Sequence, residues 1–150
     1  MMLKAAFFFI SCFCWMHAAY AAGVSSLNSA IIVIDAGHGG TDRGTWANAP
    51  FCEEKRICLQ TSRLVKKYLD QLGYRVVMTR MTDVFIPLSR RVEIADQARA
   101  SLFVSIHYNS APVPSAKGIE IFYSESKGEK VRASASKKLA QSILSKVIHR

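Results

Sequence analysis

Two histidines in this 150-residue chain stand where layered α/β proteins place their chemistry. His38 lies in Asp35-Ala36-Gly37-His38-Gly39-Gly40-Thr41-Asp42, directly after the apolar run Ala30-Ile31-Ile32-Val33-Ile34. His107 ends a second such run, Ser101-Leu102-Phe103-Val104-Ser105-Ile106. Open α/β sheets bind ligands beyond the carboxyl ends of their strands. A lone histidine there is most often a polar residue closing an element. Two in equivalent positions, with Glu53 and Glu54 opening a helix between them, make a candidate metal set. Carboxylates at a helix start are also favoured by the macrodipole alone, so the sharper reading needs only one of the pair as a ligand. Two histidines, one glutamate and an open fourth position are the arrangement of catalytic zinc, which lowers the pKa of a bound water to about 7 and polarises carbonyls. The spacing His38-x15-Glu54-x52-His107 is long, and no compact H-E-x-x-H motif is present.

Glycines after a strand also cradle phosphates, but neither phosphate pattern fits. The dinucleotide fingerprint matches Gly37 and Gly39 and fails at Asp42, and the P-loop pattern fails because Thr45 follows Gly44.

The elements that must position these residues follow from periodicity. Residues 30–35 read as a strand buried on both faces. From Glu53 to Leu72, Ile57, Thr61, Leu64, Val65, Tyr68, Leu69 and Leu72 recur at helical steps, and Gly73 supplies the stop. Residues 75–79 are a second strand. Pro87 opens a helix with Leu88, Val92, Ala95 and Ala98 on one face. Residues 101–107 and 118–123 are two further strands, joined by a Pro-containing loop. A last helix runs from about Lys127 to Ile148, with Val131, Ala135, Leu139, Ile143 and Val147 four apart. The order β-α-β-α-β-β-α predicts an α/β fold, a layered, largely parallel sheet flanked by helices.

Composition bounds the class. Half of the residues are hydrophobic, which excludes a disordered chain, and four cysteines are too few for a disulfide-stapled scaffold. The net charge of +9 suits an acidic partner without choosing among nucleic acid, anionic lipid and an anionic envelope polymer. Residues 1–21 carry Lys4, an apolar run from Ala5 to Met16 and the Ala19-Tyr20-Ala21 pattern, the three parts of a secretory signal peptide. The run is too short for a mature transmembrane helix. Cleavage after Ala21 would leave residues 22–29 as a short linker and 30–150 as one domain. Only Cys52 and Cys58 would remain, and two unpaired cysteines are expected unless Cys52 lies in the preceding loop.

Several ordered motifs carry a family resemblance. Ile32-Val33-Ile34-Asp35-Ala36-Gly37-His38-Gly39-Gly40 resembles the opening motif of the zinc-dependent N-acetylmuramoyl-L-alanine amidases of bacterial cell-wall turnover, the Amidase_3-like family. Glu54-Lys55-Arg56-Ile57-Cys58-Leu59 is similar to its E-K-x-x-x-L helix start, and Gly73 to Arg80 to its second strand. Leu88 to Asp96 resembles its L-x-x-R-x-x-x-A-N helix, Ser105 to Ser110 its S-I-H-x-N motif, and Lys117 to Tyr123 the strand after it.

The resemblance implies a zinc-exopeptidase/amidase-like fold, Zn2+ held by His38, Glu54 and His107, and hydrolysis of the amide between N-acetylmuramic acid and L-alanine. Peptidoglycan is then the expected partner, with a protein activator as a further candidate. No nucleic-acid partner is expected, and no stable membrane span once the signal is removed. The expected location is the periplasm or the cell exterior.

Three positions depart from the pattern: Ala36 for proline, Asp96 for asparagine, and Tyr108 for a small residue. Tyr108, beside a ligand, is expected to narrow or stack in the cleft. The family's general-base glutamate lies in a later V-E-x-G-F-like segment that this sequence does not contain, so the domain reads as the amino-terminal part of a larger fold. Glu53 and Glu120 are weak substitutes. Loss of a general base costs about 10²–10⁴ in rate. The competing readings are a non-catalytic peptidoglycan-binding or regulatory module and a zinc peptidase of the stem peptide.

Overall fold

The computed structural model describes residues 6–13, 30–48, 51–110, 118–124 and 130–148. Among the described residues, seven strands and three helices follow in the order β1 (Ala6–Phe13), β2 (Ile31–Ala36), β3 (Trp46–Asn48), β4 (Phe51–Glu53), α1 (Glu54–Gln71), β5 (Arg75–Met78), α2 (Leu88–Gln97), β6 (Leu102–Ser110), β7 (Gly118–Tyr123) and α3 (Lys130–Ile148). Five of the strands form one sheet in the order β5-β2-β6-β1-β7. β5, β2 and β6 are parallel, as expected for strands joined through helices. β1 runs antiparallel to β6 and parallel to β7.

The strand period explains the layers. Ile32 and Ile34 of β2 and Val104 and Ile106 of β6 form one buried cluster, against which Val65 and Leu69 of α1 and Leu139 and Ile143 of α3 pack. Val33, one residue out of phase, faces the other way into a cluster with Ala95 and Ala100 at α2 and its end. Helices therefore cover both faces, and the central strands read as continuous apolar runs for that reason. Burying each large aliphatic side chain contributes about 1.5–3 kcal/mol. At the end of α1, Gly73 takes φ 85°, a left-handed conformation, and its N–H reaches the carbonyl of Asp70.

Two features lie outside the expected element set. The apolar stretch read as a signal peptide supplies β1, an interior strand whose eight residues pair with Ser110 to Phe103 of β6. Processing aside, the segment is part of the sheet in the chain as it stands. The second feature is the β3–β4 hairpin, which pairs Trp46 with Glu53 and leads straight into α1. The linker at 22–29 lies outside the described residues. Cys52 sits in β4 and Cys58 is fully buried on α1, and both are free thiols.

Candidate metal centre

Three segments deliver the candidate ligands. β2 ends at Ala36, and the N–H of Gly37 donates to the carbonyl of Ile106 at 3.0 Å, fixing the loop against β6. His38 then takes φ 58°, and Gly39 and Gly40 follow with φ 129° and 56°. A left-handed conformation at a non-glycine residue is strained and persists only where its surroundings hold it. The reversal turns the imidazole back over the sheet edge. His107 projects from β6, and Glu54 from the first turn of α1.

The ligand atoms converge. His38 Nε2 lies 3.0 Å from Glu54 Oε1, His107 Nδ1 lies 3.2 Å from the same oxygen, and the two nitrogens are 3.1 Å apart. Donors on a tetrahedral zinc with bonds of about 2.0–2.1 Å stand about 3.3 Å from one another. Two neutral nitrogen donors and one carboxylate are also the donor chemistry zinc takes, so this set fits the ion that the resemblance implies. The cradle is built for these rings as well. A Cβ on Gly37 would meet His107 Cε1 at 2.4 Å, and one on Gly44 would meet His38 Cδ2 at 2.7 Å and Glu54 Oε2 at 2.8 Å.

Partners outside the donor set orient His38 and Glu54. His38 Nδ1 faces Asp42 Oδ2 at 2.9 Å, which leaves Nε2 directed at the other two donors. Glu54, 2% exposed, accepts at Oε1 from the N–H of Tyr108 (2.9 Å) and at Oε2 from the N–H and hydroxyl of Thr45 (2.9 and 3.0 Å). Burial works to raise the Glu54 pKa, but hydrogen bonding from His107, His38, Thr45 and Tyr108 outweighs it and holds the carboxyl far below the carboxylate range. The His38 pKa is raised, first by its hydrogen bond to Glu54, against the opposing effect of burial.

Beneath the centre lies a buried polar network. Asp35 accepts from Thr79 and Arg91 at Oδ1 and from Ser105 at Oδ2, each at 2.7 Å. Arg91 also donates to the carbonyls of Ala36 (2.8 Å) and His38 (3.0 Å). The charge of Arg91, 5% exposed, is thus paired and hydrogen-bonded, as burial demands. Beside the histidines opens a cavity of about 670 Å³, lined by the apolar Phe85, Ile86, Leu88, Val92 and Phe103 and by Asn109.

The structure brings His38, Glu54 and His107 together, but it places neither Glu53 nor Glu120 among the cavity-lining residues. Glu53 pairs with Arg43 and stands 3.8 Å from Lys55 Nζ. Glu120 lies on β7 in register with Phe9, with β1 between it and β6. The expectation for Tyr108 is corrected. It lies out of phase with His107, so its ring faces α1, where its hydroxyl shares a 2.6 Å hydrogen bond with Thr61, and it does not line the cavity. Asp42, Thr45, Arg91 and Asn109 were not singled out as site residues by sequence. Asp42 and Asn109 stand four and two residues from the histidines, a proximity that was the available signal.

Residues 32–150 match the family described as N-acetylmuramoyl-L-alanine amidase, Amidase_3. The chain is 42% identical over 111 residues to the N-acetylmuramoyl-L-alanine amidase AmiC of Neisseria meningitidis serogroup B, a match that covers 74% of this chain and 26% of that protein. Among solved structures it is similar to the catalytic domain of CwlV, an N-acetylmuramoyl-L-alanine amidase of Bacillus (Paenibacillus) polymyxa var. colistinus. There the TM-score is 0.55 at 38% identity, covering 58% of this chain and 49% of that one. The amidase AmiC2 of Nostoc punctiforme gives a TM-score of 0.50 at 42% identity, covering 52% and 43% of the two chains. The chain spans between 26% and 50% of the length of the first curated relatives it matches. A match that takes in every ligand-bearing segment places this chain in the N-acetylmuramoyl-L-alanine amidase family, Amidase_3.

Proposed function

We propose that this chain is a zinc-dependent cell-wall amidase domain that cleaves the bond between N-acetylmuramic acid and L-alanine in peptidoglycan. The observation that carries the reading is the 3.0–3.2 Å convergence of His38 Nε2, His107 Nδ1 and Glu54 Oε1 beside an open cavity. Zinc in such a set supplies Lewis-acid polarisation of a carbonyl and activation of water. The protein's own part is to hold the three donors and exclude other geometries. Asp42 keeps the His38 Nε2 lone pair available, and two backbone N–H groups fix the Glu54 carboxylate. Phe85, Leu88 and Val92 give one side of the open cavity an apolar lining.

Among the described residues, the carboxylates that line the cavity are Asp35, bound by Arg91, Thr79 and Ser105, and Asp42, bound by His38 and the N–H of Gly44. Neither is free to take a proton from water, so we propose that turnover by this chain alone is slow. That feature also favours a second reading, a module that binds peptidoglycan without cleaving it. Export through a signal at residues 1–21 to the periplasm or cell exterior, and control by a protein activator, belong to the same proposal. No helix among the described residues is long and apolar enough to cross a membrane.

The test is digestion of purified peptidoglycan. Chelator-sensitive release of stem peptides with a free L-alanine amino terminus supports the amidase. Cleavage within the stem supports a peptidase instead, and retention on insoluble peptidoglycan without product supports the binding module.

A further inference from the structure

The metal ligands come from segments far apart in sequence, and one side chain that is not a ligand joins two of them. Arg80, just after β5, is 3% exposed. Its Nε donates to the carbonyl of Ala36 at 2.9 Å and its Nη2 to the carbonyl of Gly37 at 2.6 Å, on the segment that leads into His38. The same Nη2 donates to the carbonyl of Lys55 at 2.8 Å, in the first turn of α1 next to Glu54. Nη1 reaches the carbonyl of Thr82 at 3.2 Å. Room for the guanidinium comes from Gly39, where a Cβ would stand 2.9 Å from Arg80 Nε and 2.2 Å from the carbonyl oxygen of Val84.

We propose that Arg80 is a positioning residue that sets the separation of His38 from Glu54 and so tunes metal affinity. The proposal rests on the zinc reading of the site. The chemistry favours this role over plain packing. A planar guanidinium offers five N–H donors in a fixed fork. It therefore spans two carbonyls on one segment and one on another at defined angles, which a single ammonium cannot do. Arg91 makes the contrast: its carbonyl partners are Ala36, His38 and Ile86, and none lies on α1. His38 is held at a positive φ, so the loop has a relaxed alternative to fall into once its carbonyls are released.

The experiment is zinc competition against a chromophoric chelator, using the full chain, Arg80→Lys, Arg80→Gln and a control, Leu139→Ala, which thins the core packing of α3 and removes no hydrogen bond to a ligand-bearing segment. Partners of metal ligands typically govern about 10–100-fold in affinity. We expect both Arg80 variants to bind zinc at least about tenfold more weakly. The control, although it melts at a lower temperature, should keep the affinity of the unmodified chain. If a variant folds only with zinc, the midpoint of zinc-dependent folding is the readout. Unchanged affinity in folded Arg80→Lys and Arg80→Gln overturns the proposal, as does an equal loss in Leu139→Ala. An unmodified chain that binds zinc no better than His38→Ala overturns the zinc reading itself, a separate outcome.

Discussion

A Cβ placed on Gly37 would stand 2.4 Å from Cε1 of His107. The glycine preceding one candidate ligand is thus in the space required by the ring of the other. Gly37→Ala should displace the His107 ring while leaving the β2–β6 ladder intact. Zinc affinity is expected to drop by about 10–100-fold, the range for groups that orient ligands, with far-ultraviolet circular dichroism unchanged. Zinc titration of the folded variant checks this.

Asp42 acts on the other histidine, accepting from Nδ1 so that Nε2 is left for the metal. Asp42→Asn keeps the shape and removes the charge. The amide still accepts a hydrogen bond, so the expected loss in zinc affinity lies at the low end, about tenfold. An isothermal titration that finds no change would show that the loop backbone alone orients His38.

How much of this was legible in the sequence differs by feature. The apolar runs of β2 and β6 and the helical period of α1 have a simple physical origin, a strand covered on both faces and a helix covered on one. The histidines were legible because they end those runs. The hairpin β3–β4 was not, since strands of three residues carry no usable period. β1 was not, because an apolar stretch after a lysine reads as an export signal, and nothing in its composition says that it pairs with β6. The buried Arg80 and Arg91 were also hidden: sequence gives a charge but not the carbonyls that compensate it. The facing of Tyr108 follows from strand alternation once His107 is placed.

The position of β1 means that removal of residues 1–21, proposed above as an export signal, would be a structural event. Removing residues 1–21 strips the partner from facing edges of β6 and β7. Backbone amides within 103–110 and 118–123 should then exchange faster in a chain starting at Ala22 than in the full chain, and the open edges should promote association. Hydrogen exchange read by mass spectrometry decides this. Equal protection in both chains would contradict an integral β1.

Burial pushes the Cys58 thiol up to about 12, and the nearby Glu54 carboxylate adds to the effect. Iodoacetamide at pH 8 should leave Cys58 unmodified until the chain unfolds. The sign of the linkage follows from the raised value. The folded chain holds this proton where the unfolded chain loses it, above a thiol pKa of about 8.5. The contribution is therefore complete below that pH and is lost as pH rises toward 12. Urea midpoints should fall less steeply between pH 9 and 11 in Cys58→Ala than in the unmodified chain.

His38, Glu54 and His107 are proposed to hold one zinc ion together. The direct test is metal analysis of the purified, zinc-equilibrated chain after dialysis, beside His38→Ala, Glu54→Ala and His107→Ala. One zinc per chain is expected for the unmodified protein and substoichiometric zinc in each folded variant. Full zinc occupancy in any of the three, or none in the unmodified chain, would contradict it.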